Sequence, residues 1–171
     1  MHEFDDQAPA IRIDGMTRRF GARVAVDGLH LEVRHGELFS LLGPNGAGKT
    51  TTIKMLCCLL RPSAGTASIM GHDIRDDPIG VKQVIGVSPQ ETAVAPNLTA
   101  RVNLALIAGL HGISATRGES RIEELLEVSG LTQRADDKAK KYSGGLQRRL
   151  SIAMALVSDP AVVFLDEPTI G

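Results

Sequence analysis

Residues 43–50 read Gly43-Pro44-Asn45-Gly46-Ala47-Gly48-Lys49-Thr50, which fits G-x-x-x-x-G-K-[ST] at every fixed position. The chemistry of this spacing is polyphosphate binding. Glycines let successive backbone N–H groups curl around phosphate oxygens, and a helix opening at the loop adds the partial positive charge of its N-terminus. Lys49 is placed to reach β- and γ-phosphates, and the Thr50 hydroxyl is a hard oxygen ligand suited to Mg2+. A second candidate lies at residues 162–167, where four apolar residues are followed by Asp166 and Glu167. A buried strand ending in an aspartate can hold the hydration shell of Mg2+ beside a phosphate loop. Glu167 then becomes the candidate general base for an attacking water. A third is Ser143-Gly144-Gly145: a good N-cap serine followed by glycines that leave backbone N–H groups uncovered. By itself this segment is no more than a capped helix start.

The elements that must position these residues can be read from apolar periodicity. Ile11 and Ile13 alternate with polar neighbours, as do Leu29, Leu31 and Val33, and Gly21 and Gly28 bracket a short strand over residues 24–26. The opening is therefore expected to be antiparallel β structure. Residues 37–42 end in an apolar run that suits a strand buried on both faces, just ahead of the phosphate loop. Ile53, Leu56, Cys57 and Leu60 then follow helical spacing, with Arg61-Pro62 as the stop. Residues 66–70 and 84–88 read as strands, Pro89 keeping Ser88 extended. From residue 99 to residue 157 the pattern is helical, with Gly130 as a C-terminal cap, and residues 162–165 form a short apolar strand. The order predicts an α/β fold, a P-loop NTPase core with an N-terminal antiparallel β subdomain and an inserted helical subdomain.

Composition narrows the function class. The 171 residues suffice for one domain with a real core, and only 3% are aromatic, so that core must be aliphatic. The net charge of −1 counts against a general nucleic-acid binder. Cys57 and Cys58 are adjacent and read as small apolar core residues of a reducing compartment. The five histidines have no metal-ligand spacing. The acidic start is not a signal peptide, and no run is long enough to span a membrane, so a membrane role requires a partner.

Four motifs in order, GPNGAGKTT, Gln90, YSGGLQRR and VVFLDEP, make the sequence resemble the nucleotide-binding domain of ABC transporters over nearly its whole length. The resemblance implies ATP and Mg2+ as cofactors, with Thr51 joining residues 43–50 in the nucleotide site. It implies that Ser143, Gly144 and Gly145 contact ATP held by a second, facing subunit. Gln90 would touch Mg2+ or the water, catalysis would rest on Glu167, Gln90 and Lys49, and the metal on Thr50, Gln90 and Asp166. Phe20 stands where the family's aromatic stacks on adenine; the alternative is a small-core aromatic. The domain division would be a single domain over 1–171, with a nucleotide-binding core over 10–90 and 160–171 and a helical subdomain over 91–159.

The implied partners are a separate transmembrane permease and a second ATP-binding subunit, with no nucleic acid, on the cytoplasmic face of the cell membrane. The family's LSGGQ is altered here, Tyr142 replacing Leu and Leu146 replacing Gln. That variant, with PNGAGKTTTIKML and EPTIG, looks most like exporters of the ABC-2 kind that move drugs or polysaccharides. The family's later Asp loop and switch His are not in the sequence, which ends at Gly171, so the domain is expected to be incomplete at the C-terminus and hydrolysis by this chain weak or missing. The competing readings are an ATP-binding fragment without turnover and a soluble ABC ATPase of DNA repair or translation. The short stretch between the phosphate loop and the SGG segment and the single cassette argue against the latter.

Overall fold

The computed structural model describes residues 8–90 and 93–166, in two compact units, Met1–Ile85 and Gly86–Gly171. In the first unit, β1 (Ile11–Phe20), β2 (Arg23–Val33), β3 (Ala64–Ile69) and β4 (His72–Asp73) form an antiparallel sheet in the order β2-β1-β3-β4. Residues directly opposite each other share a face. Ile11 stands between Val33 and Ile69, all three buried, and this row extends the core that the alternating pattern announces. The two short strands expected on either side of Gly28 are one strand. The Gly28 N–H donates to Thr17 Oγ1 at 2.9 Å, and the register of the ladder shifts nearby, between Met16 and Arg18. The glycine thus sits at an irregularity within the strand rather than at a turn.

The expected strand over residues 37–42 is not formed. Leu38 and Leu42 are 96% and 91% exposed, and no described strand pairs with the segment. Apolar composition states a preference for burial, but a strand also needs a ladder partner, which composition cannot supply. The first helix, α1 (Lys49–Leu56), ends earlier than its apolar spacing suggests, leaving Leu60 outside. Cys58 adopts a left-handed φ of 56°, Cys58 N–H bonds Met55 O at 3.0 Å, and Leu59 N–H bonds Lys54 O at 2.9 Å. This is a Schellman motif, built on cysteine where glycine is usual. Helix α2 (Pro78–Val84) has no apolar period to announce it; Asp77 caps it by accepting from Gly80 N–H, with Pro78 in the first turn.

The second unit pairs β5 (Ile85–Ser88) with β6 (Val162–Leu165) and adds α3 (Ala100–Leu110), α4 (Ala115–Val128) and α5 (Gly144–Leu156). Leu104, Leu125, Leu126, Leu131, Leu150 and Val157 form its aliphatic core, each contributing about 1.5–3 kcal/mol by burial. Gly130 ends α4 as expected: its N–H bonds Glu127 O, and Leu131 N–H bonds Leu126 O while the Leu131 side chain enters the core. Asn103 is fully buried and satisfied. Its Oδ1 accepts from Ala95 N–H, and its Nδ2 donates to the carbonyls of Ala95 and Thr99, pinning the chain that leads into α3. Cys57 is buried and Cys58 partly so. No helix of the described residues is long and apolar enough to cross a membrane.

Candidate functional site

The phosphate loop opens α1. Its N-cap, Gly48, has φ 89° and ψ 3°, supplies no capping side chain, and no acidic residue follows in the first turn. The N–H groups of that turn therefore keep their positive end without an internal counter-charge. Gly48 can only be glycine: a β-carbon there would lie 2.4 Å from Ala25 O of β2. The loop is thereby seated directly on the β2 backbone. Lys49 Nζ donates to the carbonyls of Gly43 at 2.6 Å and Pro44 at 3.1 Å, so the ammonium is drawn over the loop itself. Residues 43–47 are exposed, and 48–50 are half-buried. Arg23, which sequence reasoning passed over, brings Nη2 to 3.7 Å from the position of a β-carbon on Gly46. Only the register of β2 places it there, so no local sequence signal marks it. A helix start without a cap, one lysine and a neighbouring guanidinium form a donor set that fits a polyphosphate anion. Phe20 ends β1, the residue 47% exposed and the Arg18 guanidinium 4.6 Å from its ring centroid; it is not a core aromatic.

The second unit holds the other predicted residues. Ser143 caps α5, accepting from Leu146 N–H at 3.4 Å, and Gly144 and Gly145 are exposed in the first turn. The departures from the family's LSGGQ have a physical account. Tyr142 is buried, its hydroxyl donates to Arg134 O at 2.5 Å, and the Arg134 guanidinium lies 5.1 Å from its ring centroid. Burial raises its pKa, against the lowering effect of Arg134, so the hydroxyl stays a donor. Leu146 packs on the core, and Gln147 Nε2 turns back to the carbonyls of Tyr142 and Ala139 at 3.3 and 3.5 Å. Gln147 is thus engaged within its own unit.

The ends of β5 and β6 come together. Asp166 is 8% exposed, its N–H bonds Ser88 O at 3.0 Å, and Gln90 follows two residues beyond, exposed. Glu167 lies outside the described residues. Arg148, which the sequence reading did not single out, is 4% exposed and donates Nη1 to Pro89 O at 2.6 Å and Nη2 to Asp166 O at 2.7 Å. The structure therefore assembles residues 43–50 in one unit, and the SGG helix start, Gln90 and Asp166 in the other.

The family of proteins described as ABC transporter matches residues 26–170. The chain is 44% identical over 162 residues to the daunorubicin resistance ATP-binding protein DrrA3 of Streptomyces coeruleorubidus, covering 95% of this chain and 51% of that protein. It is 44% identical over 165 residues to the Nod factor export ATP-binding protein I of Burkholderia lata, covering 95% and 54%. A solved dimeric structure of an ATP-binding cassette in a post-hydrolysis state, bound to ADP and Pi, is similar with a TM-score of 0.81 at 28% identity, covering 93% of this chain and 74% of that one. The chain spans about half the length of the curated relatives it matches.

Proposed function

The chain belongs to the ABC transporter family of ATP-binding proteins, and from that premise we propose that it carries the nucleotide-binding part of a subunit that powers an exporter through ATP-driven pairing of two such subunits. One observation carries the reading: α1 begins on a glycine without a capping side chain, under a lysine drawn over residues 43–50. That set suits the phosphates of ATP better than any uncharged ligand. The exporter reading, of the ABC-2 kind, follows the relatives that serve drug resistance and Nod factor export.

Residues 43–51 would hold the phosphate chain, Lys49 meeting its β- and γ-oxygens, and the Phe20 ring would stack on the base. Thr50, Gln90 and Asp166 are oxygen donors of the class Mg2+ selects. Mg2+ bound there would offset negative charge on the phosphoryl oxygens. Glu167 would take the proton of the attacking water, with Gln90 orienting that water and Lys49 stabilising the charge that develops. Ser143, Gly144 and Gly145 would meet the γ-phosphate of ATP held by a second copy. A transmembrane permease partner would keep the subunit on the cytoplasmic face of the membrane.

Phosphate release from ATP and Mg2+ tests the reading. Turnover that disappears in Glu167→Gln, with ATP still bound, supports it. ATP binding without phosphate release in the unsubstituted chain reduces the function to nucleotide binding.

A further inference from the structure

Helix α5 touches β5 backbone to side chain along one row, Arg148, Ser151 and Ala155. A β-carbon on Gly86 would lie 2.0 Å from Ala155 O, so the helix rests on the strand with no room between them. One turn back, Ser151 Oγ and Ser88 Oγ share a buried hydrogen bond of 2.9 Å. At the end of the row Arg148 places its fork on the carbonyls of Pro89 and Asp166. Those carbonyls belong to the peptide units that lead directly into Gln90 and Glu167.

A guanidinium is an expensive group to bury. Arg148 is 4% exposed, among the described residues its hydrogen-bond partners are these two carbonyls, and its Nε has no partner. An aliphatic side chain would fill the space without that desolvation cost. What it could not do is hold two strand ends at a fixed separation, which a rigid planar fork does.

We propose that Arg148 is a positioning residue for the nucleotide chemistry: it locks the ends of β5 and β6 to each other and to α5, so that Gln90 and Asp166 are presented as one unit. The proposal rests on the nucleotide reading above. Because Ser143 caps α5 and Gly144 opens it, the same side chain ties the SGG helix start to both strand ends.

The test is ATP affinity measured by equilibrium titration in Mg2+ and in EDTA, on the full chain and on Arg148→Met and Arg148→Lys. Positioning of metal ligands acts only on the Mg2+ arm. Both variants are expected to keep the EDTA affinity within about twofold, while the strengthening by Mg2+ shrinks about 10-fold or more in Arg148→Met, and less in Arg148→Lys. Arg148→Lys, which keeps the charge and most of the volume, carries the test if Arg148→Met does not fold. A folded variant with the unaltered Mg2+ effect, or with both arms weakened equally, overturns the positioning role and leaves a packing role. An unsubstituted chain that binds ATP without any Mg2+ effect also overturns it. An unsubstituted chain that binds no ATP in either buffer overturns the nucleotide reading itself.

Discussion

Gly48→Ala probes how the phosphate loop is held, and its cost can be worked from two separate sources. The residue has a φ of 89°, and an L side chain in that region costs about 1–2 kcal/mol. The added β-carbon would also stand 2.4 Å from Ala25 O and 3.1 Å from Val26 Cγ2. The valine methyl can give way, but the carbonyl is main chain of β2, at the register shift between Val24 and Val26, and cannot rotate aside as a side chain can. Overpacking of this kind costs about 1–3 kcal/mol. The sum is about 2–5 kcal/mol, which for a chain of this size lowers Tm by about 4–20 °C. Gly46→Ala separates the two sources. Gly46 also has a positive φ, 85°, but its nearest neighbour is Arg23 Nη2 at 3.7 Å, so only the backbone cost of about 1–2 kcal/mol applies. Thermal unfolding followed by circular dichroism, with ATP titration on each variant, reads both effects. Gly48→Ala is expected to lose clearly more stability than Gly46→Ala, and its ATP affinity with it. Equal losses in the two would refute the idea that the loop is seated on the β2 backbone.

Gly145→Ala is expected to be silent in stability, because a β-carbon there meets nothing within 4 Å and the position is helical. ATP-dependent dimerisation, measured by sedimentation, should nevertheless fall if the exposed start of α5 meets a second copy's nucleotide; unimpaired dimerisation would count against that role. Asp73 accepts from Arg75 N–H, the Thr66 hydroxyl and Asp76 N–H at 2.7, 2.8 and 3.1 Å. Burial alone would raise its pKa, but these hydrogen bonds outweigh it and the pKa is lowered. A lowered folded-state pKa adds stability that is complete above the unfolded value of about 3.9 and is lost as pH falls through the folded value. Urea midpoints below about pH 4 should therefore fall less steeply in Asp73→Asn than in the unsubstituted chain, and parallel acid limbs would contradict the assignment.

Much of the site was legible in the sequence because its signals are local. The phosphate loop needs glycines, Lys49 and a helix start within a few residues, and the Ser143 cap and the Gly130 stop are equally short-range. What escaped depends on partners distant in sequence. Arg23 and Arg148 acquire roles only through strand register and helix packing. The apolar run over residues 37–42 misled because its pattern is satisfied only by a ladder partner that no described strand provides. Cys58 ended α1 in a conformation that composition assigns to glycine. Helix α2 did carry a readable signal, Asp77 before Pro78, but without an apolar period to draw attention to it.

The central claim is that residues 43–50 bind the phosphates of ATP, with Lys49 as the charged contact. Equilibrium titration of ATP against the full chain and Lys49→Ala tests it most directly. Removing a charge-assisted contact of about 1.5–3 kcal/mol should weaken binding about 10- to 150-fold, with little change in thermal stability because, among the described residues, Lys49 bonds exposed loop carbonyls. Equal ATP affinity in the two proteins would contradict the account.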